Sequence, residues 1–176
     1  MTYGSSDSVA PTLATARAAS VPDAEGELAA RALSVARRTA LGVLGDPDTA
    51  ADIAQEVALH ALRHRRALRD PAALDAWVHR IAVRAALREA QRSRRRREAE
   101  QAGAALSGAT ASPAMAELLT VLDGLPPRQR AALTLRYVHD LPDAAIARAL
   151  RCRPGTVRSL LSRGREAVRA RLEENC

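Results

Sequence analysis

Apolar residues recur every three to four positions through two long stretches of this chain, Glu25 to Arg97 and Ala116 to Glu174. That is the period of helices burying one face each. No stretch alternates apolar and polar residues as a half-buried strand would, and no internal repeat is present. In the first stretch Asp46-Pro47 predicts a helix start, a carboxylate at the N-cap and proline at the first helical position. Ile53, Val57 and Ala61 then point one way; Asp52, Gln55, Glu56 and Leu59 point another. A longer helix beginning near Ala73 carries Leu74, Trp77, Val78, Ile81 and Ala85 as its stripe. In the second stretch Ala132, Leu135 and Tyr137–Val138 give one helix its apolar face. Leu141, Ile146, Ala149 and Leu150 pattern a short helix with Pro142 near its start, and Arg151 to Arg153 make a turn. Pro154 opens a last helix whose buried stripe is Val157, Leu160, Leu161, Gly164, Val168 and Leu172.

Between the two stretches, "GAALSGATASPAM" (Gly103 to Met115) is small, polar and interrupted by proline, the composition of a flexible linker. Residues 1–24 are rich in Ser, Thr, Ala and Pro without sustained periodicity and read as a disordered tail. The expected fold is all-α: two small helical domains, 25–97 and 116–176, joined by a linker over 98–115.

Charge changes the picture from fold to partner. The 176 residues carry a net charge of +7, and all 27 basic residues are arginine. Residues 63–97 hold twelve arginines against Asp70, Asp75 and Glu89, and residues 128–171 hold eleven against Asp140, Asp143 and Glu166. Each predicted domain therefore has its own basic surface, and two such surfaces on a tether suit two separated sites on one nucleic acid.

Several other chemistries are disfavoured. No apolar run is long enough to span a bilayer, and the first 25 residues lack a basic start followed by an apolar core, so a cytoplasmic protein without membrane insertion is expected. Cys152 and Cys176 make no disulfide framework. His60 and His64, four apart, lack both an intervening Glu and a third ligand at a characteristic spacing, so no metal is expected. With no nucleophile motif and no phosphate-cradling glycine loop, neither catalysis nor a cofactor is expected.

A short helix, a turn of three residues and a basic second helix form a helix-turn-helix, whose second helix enters the major groove. Arg158, Arg165 and Arg169 share a face of that helix beside Thr156, Ser159 and Ser162. The competing reading is a helical hairpin with a solvated basic face.

From Leu125 to Leu172 the chain resembles region four of bacterial sigma factors, particularly the extracytoplasmic-function group. The resemblance rests on Leu125-Pro126, Ile146-Ala147 and Gly155-Thr156-Val157-Arg158-Ser159. "AADIAQEV" is similar to the signature by which region two of these factors binds the clamp helices of core RNA polymerase, with Asp52, Gln55 and Glu56 as matches. "WVHRIAVRAAL", Trp77 to Leu87, resembles the segment that lies along the −10 element, with Arg84 where Asn is usual. Leu160 and Gly164 likewise replace the usual Arg and Ala. Gly164 costs roughly 1 kcal/mol of helix propensity, which close helix packing would justify.

The resemblance implies a sigma factor that directs promoter recognition, DNA opening and initiation. Core polymerase would be bound through Asp52, Gln55, Glu56 and Leu59, with the β′ clamp helices and the β flap as its surfaces. The −10 region would meet Arg66, Arg69 and Trp77 together with Arg80, Arg84, Arg88 and Arg92, which recur every fourth residue as an arginine ridge with too few acidic neighbours to pair it. The loop from Arg66 to Ala72 stands where the family captures a flipped base. The −35 element would meet Arg153, Thr156, Arg158, Ser159, Ser162, Arg163, Arg165 and Arg169, with Arg158 on guanine and Arg163, Arg165 and Arg169 on phosphates. An anti-sigma factor is a further candidate partner. The alternative is a stand-alone helix-turn-helix regulator that never engages polymerase.

Overall fold

The computed structural model describes residues 24–64, 66, 70–100, 122 and 124–174, all helices and turns with no strand among them. The expected tail and linker lie outside these residues, except that Ala24 opens the first helix and residues 98–100 continue the third. Three helices form the N-terminal half: α1 (Ala24–Leu44), α2 (Pro47–Arg63) and α3 (Pro71–Glu100). The C-terminal half contains α4 (Pro127–Leu133), a π-helical segment (Thr134–Val138), α5 (Asp143–Leu150) and α6 (Pro154–Glu174).

The α2 start is built as its sequence predicts. Gly45 turns the chain at φ +75°, and the Asp46 carboxylate accepts from the backbone N–H of Asp48 at 3.3 Å and of Thr49 at 3.2 Å. Two of the unpaired donors at the helix end are thereby satisfied. Asp46→Ala is expected to cost about 1 kcal/mol, read as a lowered thermal midpoint that Asp46→Asn largely avoids.

Alanine carries the N-terminal core. Ala32, Ala36 and Ala40 of α1, Ala50, Ala54 and Ala61 of α2, and Ala82 and Ala86 of α3 are all fully enclosed. Side chains this small let the three helices approach closely, with Val35, Val43, Val57, Val78 and Val83 filling the space between. The α3 stripe expected from its largest apolar residues is therefore corrected in part. Leu74 and Val78 are buried, but the face continues through Ala82, Ala86 and Ala90, while Trp77, Ile81 and Ala85 are only half-buried at its margin.

In the C-terminal half Ala132 and Leu135 are buried as expected, but Tyr137 is 62% exposed and Val138 42% exposed. A π segment rotates less per residue than an α-helix, which swings the last two residues off the expected face. Val157, Leu161 and Gly164 form the inner face of α6, with Leu160 and Val168 half-buried against the core. Leu172 departs from the expected stripe and faces solvent; α6 spans 21 residues against seven and eight in its partners, so its end outruns their cover. At Gly164 a Cβ would stand 3.0 Å from Leu133 Cδ1, so glycine serves close packing with α4.

Buried apolar residues from both halves join in one continuous cluster. α1 meets α4 and the π segment, and α3 meets α5. Gly42 of α1 lies under Thr134, where an added Cβ would come within 2.7 Å of Thr134 Cγ2.

Candidate nucleic-acid interface

α5 and α6 are joined by Arg151, Cys152 and Arg153. Arg151 adopts a left-handed conformation at φ 50°, ψ 56°, and the Cys152 N–H donates to Ala147 O at 3.0 Å, closing α5 so the chain can turn at once into α6. Pro154 occupies the first position of α6, where no backbone donor is needed. Val157 and Leu161 point to the core, so the opposite side of α6 is set outward. Arg153, Thr156, Arg158, Ser159, Arg163, Arg165 and Arg169 are all exposed. The structure thus brings seven of the eight predicted −35 residues to the solvent side of the second helix and its entry. Ser162 is half-buried and donates to Glu166 Oε1 at 3.0 Å, and Ser159 donates to Gly155 O at 3.2 Å.

The ridge on α3 is less uniform than its sequence suggests. Arg88 and Arg92 are exposed, and Arg80 and Arg84 half-buried. Of the four ridge arginines only Arg92 meets a carboxylate among the described residues; beyond the ridge Arg94 lies 3.2 Å from Glu98, and Glu89 serves Arg92 at 3.6 Å and Arg96 at 2.7 Å together. The reason is geometric: one glutamate on α3 reaches residues three and seven further on. Exposed pairs of this kind contribute about 1 kcal/mol or less and yield readily to phosphate.

Arg84 turns toward the helix-turn-helix. Its Nε donates to Ala149 O at 3.3 Å and its other nitrogen to Arg148 O at 3.2 Å, while Arg128 donates to Leu150 O at 3.1 Å. The last three carbonyls of α5 are thus satisfied by arginines, a favourable place for cations. Burial, with Arg151, Arg80 and Arg88 close by, lowers the Arg84 pKa.

Trp77 stacks parallel to His60, with ring centroids 5.2 Å apart, and His60 also touches His64 at 4.1 Å. One face of the indole is therefore covered from within. Arg66 is exposed; Arg69 lies outside the described residues. On α2, Asp52, Gln55 and Glu56 are exposed and Leu59 is 53% exposed, one continuous outward face opposite Ile53, Val57 and Ala61. No helix among the described residues is long and apolar enough to cross a membrane, and no group of three potential metal ligands occurs among them.

Sequence reasoning missed the histidines that meet between the two halves. His79 and His139 have ring centroids 4.3 Å apart, and both are pushed below the usual histidine pKa by burial, His139 to about 4. The only signal was a histidine between Val78 and Ala82 on an apolar helix face; nothing local marks its partner.

Residues 28–97 match the sigma-70 region 2 family and residues 115–168 the sigma-70 region 4 family. The chain is 32% identical over 143 residues to the ECF RNA polymerase sigma factor EcfG of Rhodopseudomonas palustris (strain TIE-1), covering 77% of this chain and 78% of that protein. Its fold resembles that of the sigma factor RpoE solved with the anti-sigma factor NepR from Bartonella quintana, with a TM-score of 0.69, 22% identity, and 84% of this chain and 95% of that chain covered. It also resembles CnrH, solved with the cytosolic domain of CnrY, with a TM-score of 0.56, 22% identity, and 88% and 100% covered. The paired regions define a sigma-70-type protein. Within that class, the chain belongs to the extracytoplasmic-function group of RNA polymerase sigma factors, and is an alternative sigma factor of transcription initiation.

Proposed function

We propose that this chain docks on core RNA polymerase through the outward face of α2 and reads the −35 element through α6. The observation that carries the reading is that Asp52, Gln55, Glu56 and Leu59 stand exposed on one helix while Arg158 and its neighbours stand exposed on the second helix of a helix-turn-helix. The matched ranges support domains at 25–97 and 116–176. The clamp helices of the β′ subunit take the α2 face, and the β flap takes the C-terminal domain. Arg66, Arg69, Trp77, Arg80, Arg84, Arg88 and Arg92 follow the −10 region. Arg153, Thr156, Ser159 and Ser162 position α6, Arg158 contacts guanine, and Arg163, Arg165 and Arg169 hold phosphates. Catalysis belongs to the polymerase and the site of action is the cytoplasm. The relatives solved with anti-sigma factors support a partner of that kind here.

The test is run-off transcription with sigma-free core polymerase on a pooled promoter library; discrete starts sharing two spaced motifs are expected. Silence together with tight duplex binding by the free chain would favour the stand-alone regulator. Within that assay Arg158→Ala is expected to lose roughly 1–3 kcal/mol of discrimination at one −35 base pair. Arg169→Ala should instead weaken all promoters alike and reduce the salt slope by about one.

A further inference from the structure

Where the halves meet, Thr39 of α1 gives its hydroxyl proton to Val35 O at 2.8 Å, so the 2.9 Å contact with His139 has Nε2–H of the imidazole donating to Thr39 Oγ1. Neutral His139 is satisfied there. His79 faces it from α3, is only 6% exposed, and has no partner at either ring nitrogen. The surroundings offer little to a second positive charge. Arg38 of α1 acts on both rings with the wrong sign. Arg80 of α3 and Arg148 of α5 line the small cleft that His79 shares with Leu141. The one favourable group is Asp75, whose carboxylate is already gripped by Arg31 at 2.8 and 2.7 Å. Arg31 and burial set opposite pulls on that carboxyl, and the guanidinium prevails, holding it ionised.

We propose that the contact between the halves is a proton-operated latch: His79 and His139 allow closure while both are neutral, and their protonation separates the halves. Separation releases Arg84 from the carbonyls of α5, so that it faces solvent and any phosphate backbone; this last consequence rests on the promoter-binding reading, whereas the opening does not.

The direction follows from linkage. In the closed form both imidazoles lie below their ordinary pKa, so the open form, with a histidine pKa of about 6.5, binds more protons as pH falls. The favour that neutral imidazoles give to closure is fully present well above that value and is lost progressively below it. His139 alone raises the opening constant about tenfold between pH 7.5 and 5.5, and His79 adds to it.

The opening constant can be read from a thiol at the interface. Thr134 is 3% exposed and covered by Gly42. In the full chain with Cys152 and Cys176 replaced by Ser, Thr134→Cys is labelled at pH 7.5 and 5.5, each rate normalised to the denatured chain at the same pH. A parallel chain carries Val57→Cys, buried in α2. A rise of about tenfold or more at Thr134→Cys, unchanged labelling at Val57→Cys, and loss of most of the rise on adding His139→Gln are expected. Gln keeps an N–H donor for Thr39 without titrating. A rise below twofold, an equal rise at Val57→Cys, or an undiminished rise with His139→Gln overturns the latch. Should His139→Gln not fold, His79→Gln replaces it, and the first two criteria decide without either variant. None of these readouts involves DNA or polymerase, so failure of the latch and failure of the promoter reading are separable.

Discussion

Asp52→Arg combined with Glu56→Arg is expected to weaken binding to core RNA polymerase by about a hundredfold or more while leaving the fold intact. The two carboxylates are four residues apart, so they project from one side of α2, and both are exposed. Neither makes an ion pair or hydrogen bond within the described residues, so reversing them removes nothing from the folded chain. Exposed substitutions of this kind usually change stability by less than about 0.5 kcal/mol. At an interface the outcome differs, because like charges brought together cost several kcal/mol and about 1.4 kcal/mol is tenfold in affinity. Leu59 should add a separate, salt-insensitive component: Leu59→Ala weakens binding without altering its salt dependence, since its contribution is apolar area. Fluorescence anisotropy of labelled chain titrated with core polymerase checks the first claim, and circular dichroism checks the fold. Full affinity in the double reversal would remove α2 from the polymerase interface.

What the sequence disclosed and what it hid divide along a physical line. The helix-turn-helix was legible because its determinants are local: Pro154 fixes where α6 starts, and Val157, Leu161 and Gly164 repeat at helical spacing. Gly164 was readable even as a packing position, since its helix cost needed a reason. The α2 cap was equally local. On α3 the largest apolar side chains mark a stripe that differs from the buried face, because in a helix bundle with alanine contacts the small ones lie deepest. Tyr137 and Val138 leave the face that their spacing predicts because a π segment leaves no mark in an apolar pattern. The interface between the halves was invisible for another reason: Thr39 and His139 are 100 residues apart, and Arg84 reaches carbonyls 64 and 65 residues away. No spacing rule connects such positions, and a basic residue on an exposed-looking ridge reads the same whether it meets phosphate or a helix end.

That ambiguity makes Gly42→Leu informative. An added Cβ would lie 2.7 Å from Thr134 Cγ2, closer than unstrained carbon contacts allow. Thr134 has little freedom to yield: it is β-branched, buried, and its hydroxyl donates to Arg130 O at 2.9 Å. The clash exists only while the halves touch. Within α1 itself the same change replaces glycine with a good helix former, worth about 0.8–1 kcal/mol in either arrangement. Overpacking of about 3 kcal/mol therefore falls on the closed form alone and shifts the balance toward separation by about a hundredfold. Helix content should be maintained, the radius of gyration from small-angle scattering should rise, and compactness should no longer follow pH. If Arg84 is held from DNA by closure, the free variant should also bind duplex promoter DNA more tightly, and adding Arg84→Ala should erase that gain. A compact variant with unaltered pH response would mean that the contact at Thr134 yields by local adjustment and does not govern the approach of the two halves.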